Sequence, residues 1–167
     1  INNFFNSDKE NFNIKNGNIS IKKQKNKLTA VFDYIDKEIL ITKANVRNFF
    51  LEGKLRGKIK LRPYTNFNLD LELSSVNFTK LYTYFLNLKN ERQKNIFKIN
   101  DKINGNLNFS SEKIYSDFNL IKSFESRLNF NNGNISIEQF LINLGKLGAA
   151  DILGSIDNDK QLTNFKY

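Results

Sequence analysis

The chain contains no cysteine, no histidine, no methionine and no tryptophan, and it has a single proline. Each absence excludes something. Without Cys there is no disulfide, no zinc-thiolate site and no thiol nucleophile. Without His, the Ser-His-Asp triad, the Cys-His pair and most zinc catalysis fall together. The missing Met, with Ile1 in first position, makes an internal segment or processed chain the expectation. The lack of a leader or anchor within it therefore carries no information about the full protein. No apolar run approaches the roughly 18 residues that a membrane-crossing helix requires.

What is present is a folded composition. An apolar fraction of 40% and a charged fraction of 26% are ordinary for a globular chain, and a 13% aromatic share argues against disorder. Asn, Lys, Ile and Phe all have A/T-rich codons, so their abundance is discounted as a functional signal. The net charge of +9 suits nucleic acid, an anionic membrane surface or solubility alone.

Period-two alternation, the mark of half-buried strands, runs through the chain. In "LEGKLRGKIKLR", Leu51, Gly53, Leu55, Gly57, Ile59 and Leu61 take one face, and Glu52, Lys54, Arg56, Lys58, Lys60 and Arg62 the other. After Pro63, "FNLDLELS" sets Phe67, Leu69, Leu71 and Leu73 against Asn68, Asp70, Glu72 and Ser74. Folding these two segments antiparallel about Tyr64 predicts Leu61 opposite Phe67, Ile59 opposite Leu69 and Leu55 opposite Leu73. Lys58 then meets Asp70, and Arg56 meets Glu72.

The string "NGNISI" occurs twice, at Asn16–Ile21 and Asn132–Ile137, with a looser copy "NGNLNF" at Asn104–Phe109. Asn-Gly favours a type I′ hairpin turn, whose central residues both need positive φ. A turn at Asn16-Gly17 predicts Ile14 opposite Ile19 and Phe12 opposite Ile21. A turn at Asn132-Gly133 predicts Asn131 opposite Asn134, Phe130 opposite Ile135 and Leu128 opposite Ile137. Further strands are expected in "KLTAVFDYI", turning at Asp36-Lys37 into "EILITKA", and in "INGNLNF", "YSDFNLI", "EQFLINLG" and "AADILGSI".

One stretch departs from this period. Ser75–Leu88 places Phe78, Leu81, Tyr82 and Phe85 at helical spacing, which predicts a short amphipathic helix capped by Ser75, with "KNERQKN" as the loop after it. The expected fold is mainly β: a long, curved, groove-like antiparallel sheet, with the helix inserted between its strand sets instead of βαβ units.

The carboxylates Asp70 and Glu72 share a strand face with basic partners opposite, so they read as ladder rungs, not an acid/base pair. "GKLRGKIK" lacks P-loop spacing, and "DNDKQLTNF" lacks the Gly and terminal Glu of a calcium loop. No catalytic residue, metal or cofactor is expected.

The succession "LEGKLRGKIKLRPYTNFNLDLELSSVNFTKLYTYF", "KINGNLNFSSEKI" and "SRLNFNNGNISIEQFLINLGKLGAADILGSID" resembles the AsmA-like (TamB and YhdP) family of bacterial envelope proteins. The likeness lies in a G-x-L/I-x-L/I strand opening and a "D-L-x-L" strand leading into a short helix. A later "NG-x-I-x-I" hairpin is followed by a strand ending near "G-x-I-D". It covers the chain from about Leu51 onward, and "GKLGAAD" departs from the family's Gly-Gly before the last strand. The resemblance implies one segment, residues 1–167, of a longer periplasmic β-groove in a Gram-negative bacterium, anchored to the inner membrane by a helix elsewhere. Its parts would be a first strand set (1–74), a helix and loop (75–98) and a second strand set (99–167). It implies phospholipid acyl chains as partners, passed between inner and outer membranes, and no nucleic acid. The groove-lining candidates are Leu51, Leu55, Ile59, Leu61, Phe67, Leu69, Leu71 and Leu73, then Phe130, Ile135 and Ile137. Ordinary sandwich core is the competing role for the same residues. The alternative functions are an adhesive β-repeat module, which needs regular parallel coils, and a basic nucleic-acid-binding domain, which needs aromatics on its basic face.

Overall fold

A computed structural model describes residues 12–87, 99–117 and 119–157, and the backbone of residues 162–166. Among the described residues the chain forms a single open sheet of twelve strands and one α-helix. The first strand set is β1 (Ile14–Lys23), β2 (Asn26–Ile35), β3 (Glu38–Arg47), β4 (Leu51–Lys60) and β5 (Thr65–Asn77). Helix α1 (Phe78–Leu86) follows. The second set is β6 (Ile103–Ser111), β7 (Ile114–Tyr115), β8 (Ser123–Asn131), β9 (Asn134–Asn143), β10 (Ala149–Asp151), β11 (Leu153–Asp157) and β12 (Leu162–Lys166). The sheet order is β1-β2-β3-β4-β5-β6-β8-β9-β11-β12, with β7 beside β5 and β10 beside β9. Both strand sets thus belong to one mainly β sheet, as the alternation predicts.

The tight turns follow from backbone chemistry. Asp36 and Lys37 both take positive φ (50° and 66°) and join β2 to β3. Asn132 (φ 48°) and Gly133 (φ 81°) do the same between β8 and β9. Asn131 faces Asn134, Phe130 faces Ile135 and Leu128 faces Ile137, the register expected from the second Asn-Gly turn.

The first Asn-Gly is different. β1 runs straight through Asn16-Gly17 and pairs with β2, so Ile14 faces Tyr34, Gly17 faces Phe32 and Ile19 faces Ala30. Asn16 takes φ 52° as a bulge residue, and its N–H is held by Asp33 Oδ1 at 2.7 Å. The hairpin turn lies instead at Gln24-Lys25, between Lys23 and Asn26. A side chain at Gly17 would crowd Phe32, whose Cζ would lie 2.8 Å from the added Cβ. This glycine makes room for a ring; it does not make a turn.

The β4–β5 hairpin keeps the expected faces but slips by two residues. Ile59 faces Phe67, Leu55 faces Leu71 and Arg56 faces Asp70, because the connection centres on Pro63 and not on Tyr64. A slip of two preserves the inward and outward sets, whereas a slip of one would have exchanged them. Lys58 reaches Glu38 on β3 (3.4 Å) instead of Asp70, while Arg56 reaches both Asp70 (3.5 Å) and Glu72 (2.9 Å).

Helix α1 starts three residues later than expected. Ser75 to Asn77 remain in β5, and Asn77 is the cap, its Oδ1 accepting the Lys80 N–H at 2.9 Å. The "KNERQKN" loop lies outside the described residues. The chain then returns to the start of the sheet, so β6 runs parallel to β5, with Thr65 beside Ile103 and Leu73 beside Ser111. The sheet is therefore antiparallel except at β5 and its parallel neighbours β6 and β7. A parallel neighbour requires a crossover of a dozen residues or more, and residues 78–102 supply it. "YSDFNLI" is not a strand beyond Tyr115: β7 adds two residues to the edge of β5, and the Asp117 N–H then bonds Thr79 Oγ1 at 3.2 Å. "AADILGSI" is two short strands broken at Ile152, whose N–H still reaches the Phe140 carbonyl at 3.0 Å.

Candidate functional site: the apolar face

Residues paired across a sheet share a face, so the registers can be followed from strand to strand. Four apolar rows cross the molecule. The first is Ile14, Tyr34, Ile39, Ile59, Phe67, Gly105, Phe130, Ile135 and Ile156. The second is Gly17, Phe32, Ile41, Gly57, Leu69, Leu107, Leu128, Ile137 and Gly154. The third runs from Ile19 through Ala30, Ala44, Leu55, Leu71, Phe109 and Ser126 to Phe140. The fourth runs from Ile21 through Leu28, Val46, Gly53, Leu73, Ser111, Phe124 and Ile142 to Ala150. No charged residue stands in any of them.

Bulges keep the rows in phase. Along β1, β3, β5 and β9 the spacing of inward residues goes once from two to three: Ile14 to Gly17, Ile41 to Ala44, Leu73 to Val76 and Ile137 to Phe140. Each of these steps coincides with a register shift. A strand without the bulge would turn every following apolar side chain to the solvent face.

Helix α1 stands at one end of this face, where Leu73, Val76, Ile114 and Phe124 form the buried cluster, and Phe78, its first residue, packs on Phe124 with ring centroids 6.1 Å apart. Away from the helix, Ala44 and Ile135 are the other buried apolar residues described, and most of the row residues are half-buried, with no second layer above them among the described residues. Of the eleven candidates, ten point to this face. Leu51 lies beside Val76 at the helix end; Leu55, Ile59, Phe67, Leu69, Leu71, Leu73, Phe130, Ile135 and Ile137 lie in the rows. Leu61 lies beyond β4 in the connecting loop and is 40% exposed, so it belongs to the rim. The inward residues of β1 to β3 and of β6, Gly53 and Gly57 of β4, Phe124, Ser126 and Leu128 of β8, Phe140 and Ile142 of β9, Ala150 of β10, and Gly154 and Ile156 of β11 complete the face. The three-residue steps are the signal that would have placed those of β1, β3 and β9.

The opposite face is polar. Asn129 Nδ2 donates to Asn106 Oδ1 (2.8 Å), Asn108 Nδ2 donates to Asp70 Oδ1 (2.9 Å), and Asn104 Oδ1 accepts the Asn132 N–H (2.8 Å). Exposed ion pairs join Arg47 to Glu52, Arg56 to Asp70 and Glu72, and Lys58 to Glu38. At this exposure each contributes under about 1 kcal/mol; together they fix register and wetting. No group of three or more His, Cys, Asp or Glu among the described residues is placed to hold a metal ion.

One polar atom breaks the apolar face. Ser126 is buried and its Oγ has no hydrogen-bond partner. It sits between Phe109 and Phe140, whose rings approach to 6.4 Å over it. Serine is small enough to admit both rings, but its hydroxyl is desolvated without compensation. Ser126→Ala should raise thermal stability, by up to about 1 kcal/mol. Ser111→Ala, which loses a hydroxyl donating to the Lys113 carbonyl at 3.2 Å, should lower it by about 1 kcal/mol. Calorimetric unfolding of the two variants checks the contrast, and a loss for Ser126→Ala would mean that the hydroxyl has a partner.

Comparison with protein-family models, curated proteins and solved structures finds no match to the chain.

Proposed function

We propose that this chain is a lipid-binding segment of an AsmA-like envelope protein, whose open apolar face holds phospholipid acyl chains and passes them between the inner and outer membranes. The observation that carries the reading is the set of four uncharged rows running from β1 to β9, two of them on to β11, with α1 at one end of the face. An acyl chain needs burial and no directed polar partner. Full removal of a methylene from water is worth about 0.8 kcal/mol, and an open face that covers one side of the chain supplies about half of that. Sixteen methylenes would then gain about 6 kcal/mol, enough to hold a lipid and weak enough to let it slide. All four rows cross β1 to β6, β8 and β9, so adjacent positions along this part of the sheet are alike, as a conducting surface requires.

Under this reading the segment works in the periplasm and is tethered to the inner membrane by other parts of the protein; no helix among the described residues is long and apolar enough to cross a membrane. The adhesive-repeat reading fits less well, because the strands pair antiparallel at every junction except those of β5 with β6 and β7. The nucleic-acid reading is disfavoured because the basic outer face of β1 to β4 carries no aromatic side chain.

The test is direct. The chain purified from a Gram-negative host without detergent should yield phospholipid on solvent extraction and mass spectrometry. A lipid-free extract from folded protein, together with failure to take up a fluorescent phospholipid, would sink the proposal.

A further inference from the structure

The two rims of the sheet, formed by the turns at opposite strand ends, are chemically unlike. One rim carries the Gln24-Lys25 turn, the Asn48–Phe50 loop, α1, residues 112–117 and 119–122, and a 3-10 turn at Gly145–Leu147. These pieces are contiguous. A depression is lined by Lys25, Phe49 and Tyr84, and Tyr84 meets Phe49 and Phe50 at ring distances of 5.6 and 5.8 Å. Thr79 of α1 accepts the Asp117 N–H, and the Lys122 N–H reaches the Asn143 carbonyl at 2.8 Å just before the 3-10 turn.

Along this rim apolar and aromatic side chains stand in solvent. Tyr82 is 64% exposed, Leu86 56%, Leu120 52% and Leu147 74%, beside the half-exposed rings of Tyr84 and Tyr115. Between them stand Lys25, Lys80, Lys113, Lys122 and Lys146, against two carboxylates, Glu112 and Asp117. None of these lysines has a carboxylate partner among the described residues. Lys113 lies over the Tyr115 ring at 5.4 Å, and hydrogen bonding and Coulomb attraction from that tyrosine raise its pKa. The opposite rim is near balance in charge: its loops carry Asp36, Lys37, Arg62, Asp101 and Lys102, and its exposed large side chains are Phe12, Ile35, Leu61 and Tyr64.

Tyrosines and leucines interleaved with lysines that meet no carboxylate among the described residues, although Lys122 Nζ donates to Asn119 O and Oδ1 at 3.0 and 3.2 Å, match a bilayer interface, where amphipathic rings sit at headgroup depth and ammonium groups meet phosphate. A partner protein of ordinary composition would meet these lysines with carboxylates. We infer that the α1 rim docks on the surface of an anionic phospholipid bilayer, with the α1 side chains and Leu147 entering the headgroup region. This goes beyond the lipid-carrying role of the apolar face and does not depend on it, because the rim residues lie outside the four rows. Docking here would set one rim of the face, and not a flat side of the sheet, against the membrane.

The experiment is flotation of the 167-residue chain with vesicles of phosphatidylcholine alone or mixed with phosphatidylglycerol. Binding is expected on the anionic vesicles, weakening as salt rises. The pair Lys80→Glu and Lys146→Glu should reduce it at least tenfold, since each basic residue near an anionic surface is worth about 1 kcal/mol. The pair Tyr82→Ser and Leu147→Ser, both at exposed positions, should reduce it while leaving the thermal midpoint unchanged. The pair Arg62→Glu and Lys102→Glu, on the other rim, should bind as the parent does. Failure of the parent to float with anionic vesicles would overturn the inference, as would equal losses from both rims. Loss of extractable phospholipid with vesicle binding intact would instead strike at the lipid-carrying role alone.

Discussion

Gly105→Val should lower the thermal midpoint by about 10 °C, on the basis of about 3 kcal/mol or more and roughly 2–4 °C per kcal/mol for a chain of this size. Gly105 stands at the parallel β5–β6 junction, opposite Phe67 on one side and Phe130 on the other. Its φ of 142° is a conformation that only glycine adopts readily. An added Cβ would overlap the Phe67 carbonyl oxygen and lie 2.7 Å from the Phe67 nitrogen. Those are backbone atoms held in the ladder, so they cannot turn aside as a side-chain tip does. The missing side chain is also what lets the Phe67 and Phe130 rings meet, at 5.3 Å, across the intervening strand. The substitution thus strains the backbone and parts an aromatic pair together. Gly105→Ala should lose less, since the clash is the same but the rings have less to clear. Circular-dichroism melts decide the matter: a midpoint within about 2 °C of the parent for Gly105→Val would mean that β6 does not lie against β5 as described.

The strands themselves were legible because their two faces differ so sharply. Leu51 to Lys60 sorts every charge to one side, and no tertiary information is needed to see it. The second Asn-Gly was legible for the same reason: its flanks, Leu128 to Asn131 and Asn134 to Ile137, alternate symmetrically about the turn. The first Asn-Gly has the same local chemistry but the wrong flanks. Counting outward from Asn16-Gly17 gives equally good apolar pairs, and only competition from β2, longer and more apolar than the segment before Ile14, decides that the chain runs on. A type I′ turn there needs positive φ at both Asn16 and Gly17; only Asn16 has it, as the bulge residue, and Gly17 does not. The β5–β6 crossover was not legible at all. Strand pattern shows which side chains point inward, but not the direction in which the next strand is laid down. The extent of the apolar face was half legible. The candidates from β4, β5, β8 and β9 follow strict alternation, while Ala44, Val46, Val76, Phe140 and Ile142 lie beyond three-residue steps that look like noise until a bulge is allowed there.

Leu107→Glu should reduce the phospholipid recovered with the purified chain at least tenfold while leaving the fold in place. Leu107 is half-buried at the middle of the second row, between Leu69 on β5 and Leu128 on β8. With none of the described residues over the face there, a glutamate can reach water, and the thermal midpoint should fall by only a few degrees. With an acyl chain over it, the carboxylate must be desolvated without a partner, since the rows hold no basic residue. Several kcal/mol are at stake in that step, and each 1.4 kcal/mol is a factor of ten in affinity. The neighbouring position is the control. Asn106 lies on the polar face, where its Oδ1 accepts from Asn129 Nδ2 at 2.8 Å. Asn106→Glu introduces the same charge one residue away and should leave lipid recovery unchanged. Equal lipid in Leu107→Glu and the parent would remove the apolar face as the binding surface. Equal loss in both variants would show that added charge acts on the chain as a whole and not on this face. A loss confined to Leu107→Glu follows from the pleat: one step along β6 moves the charge through the sheet, from the acyl path to the solvent side.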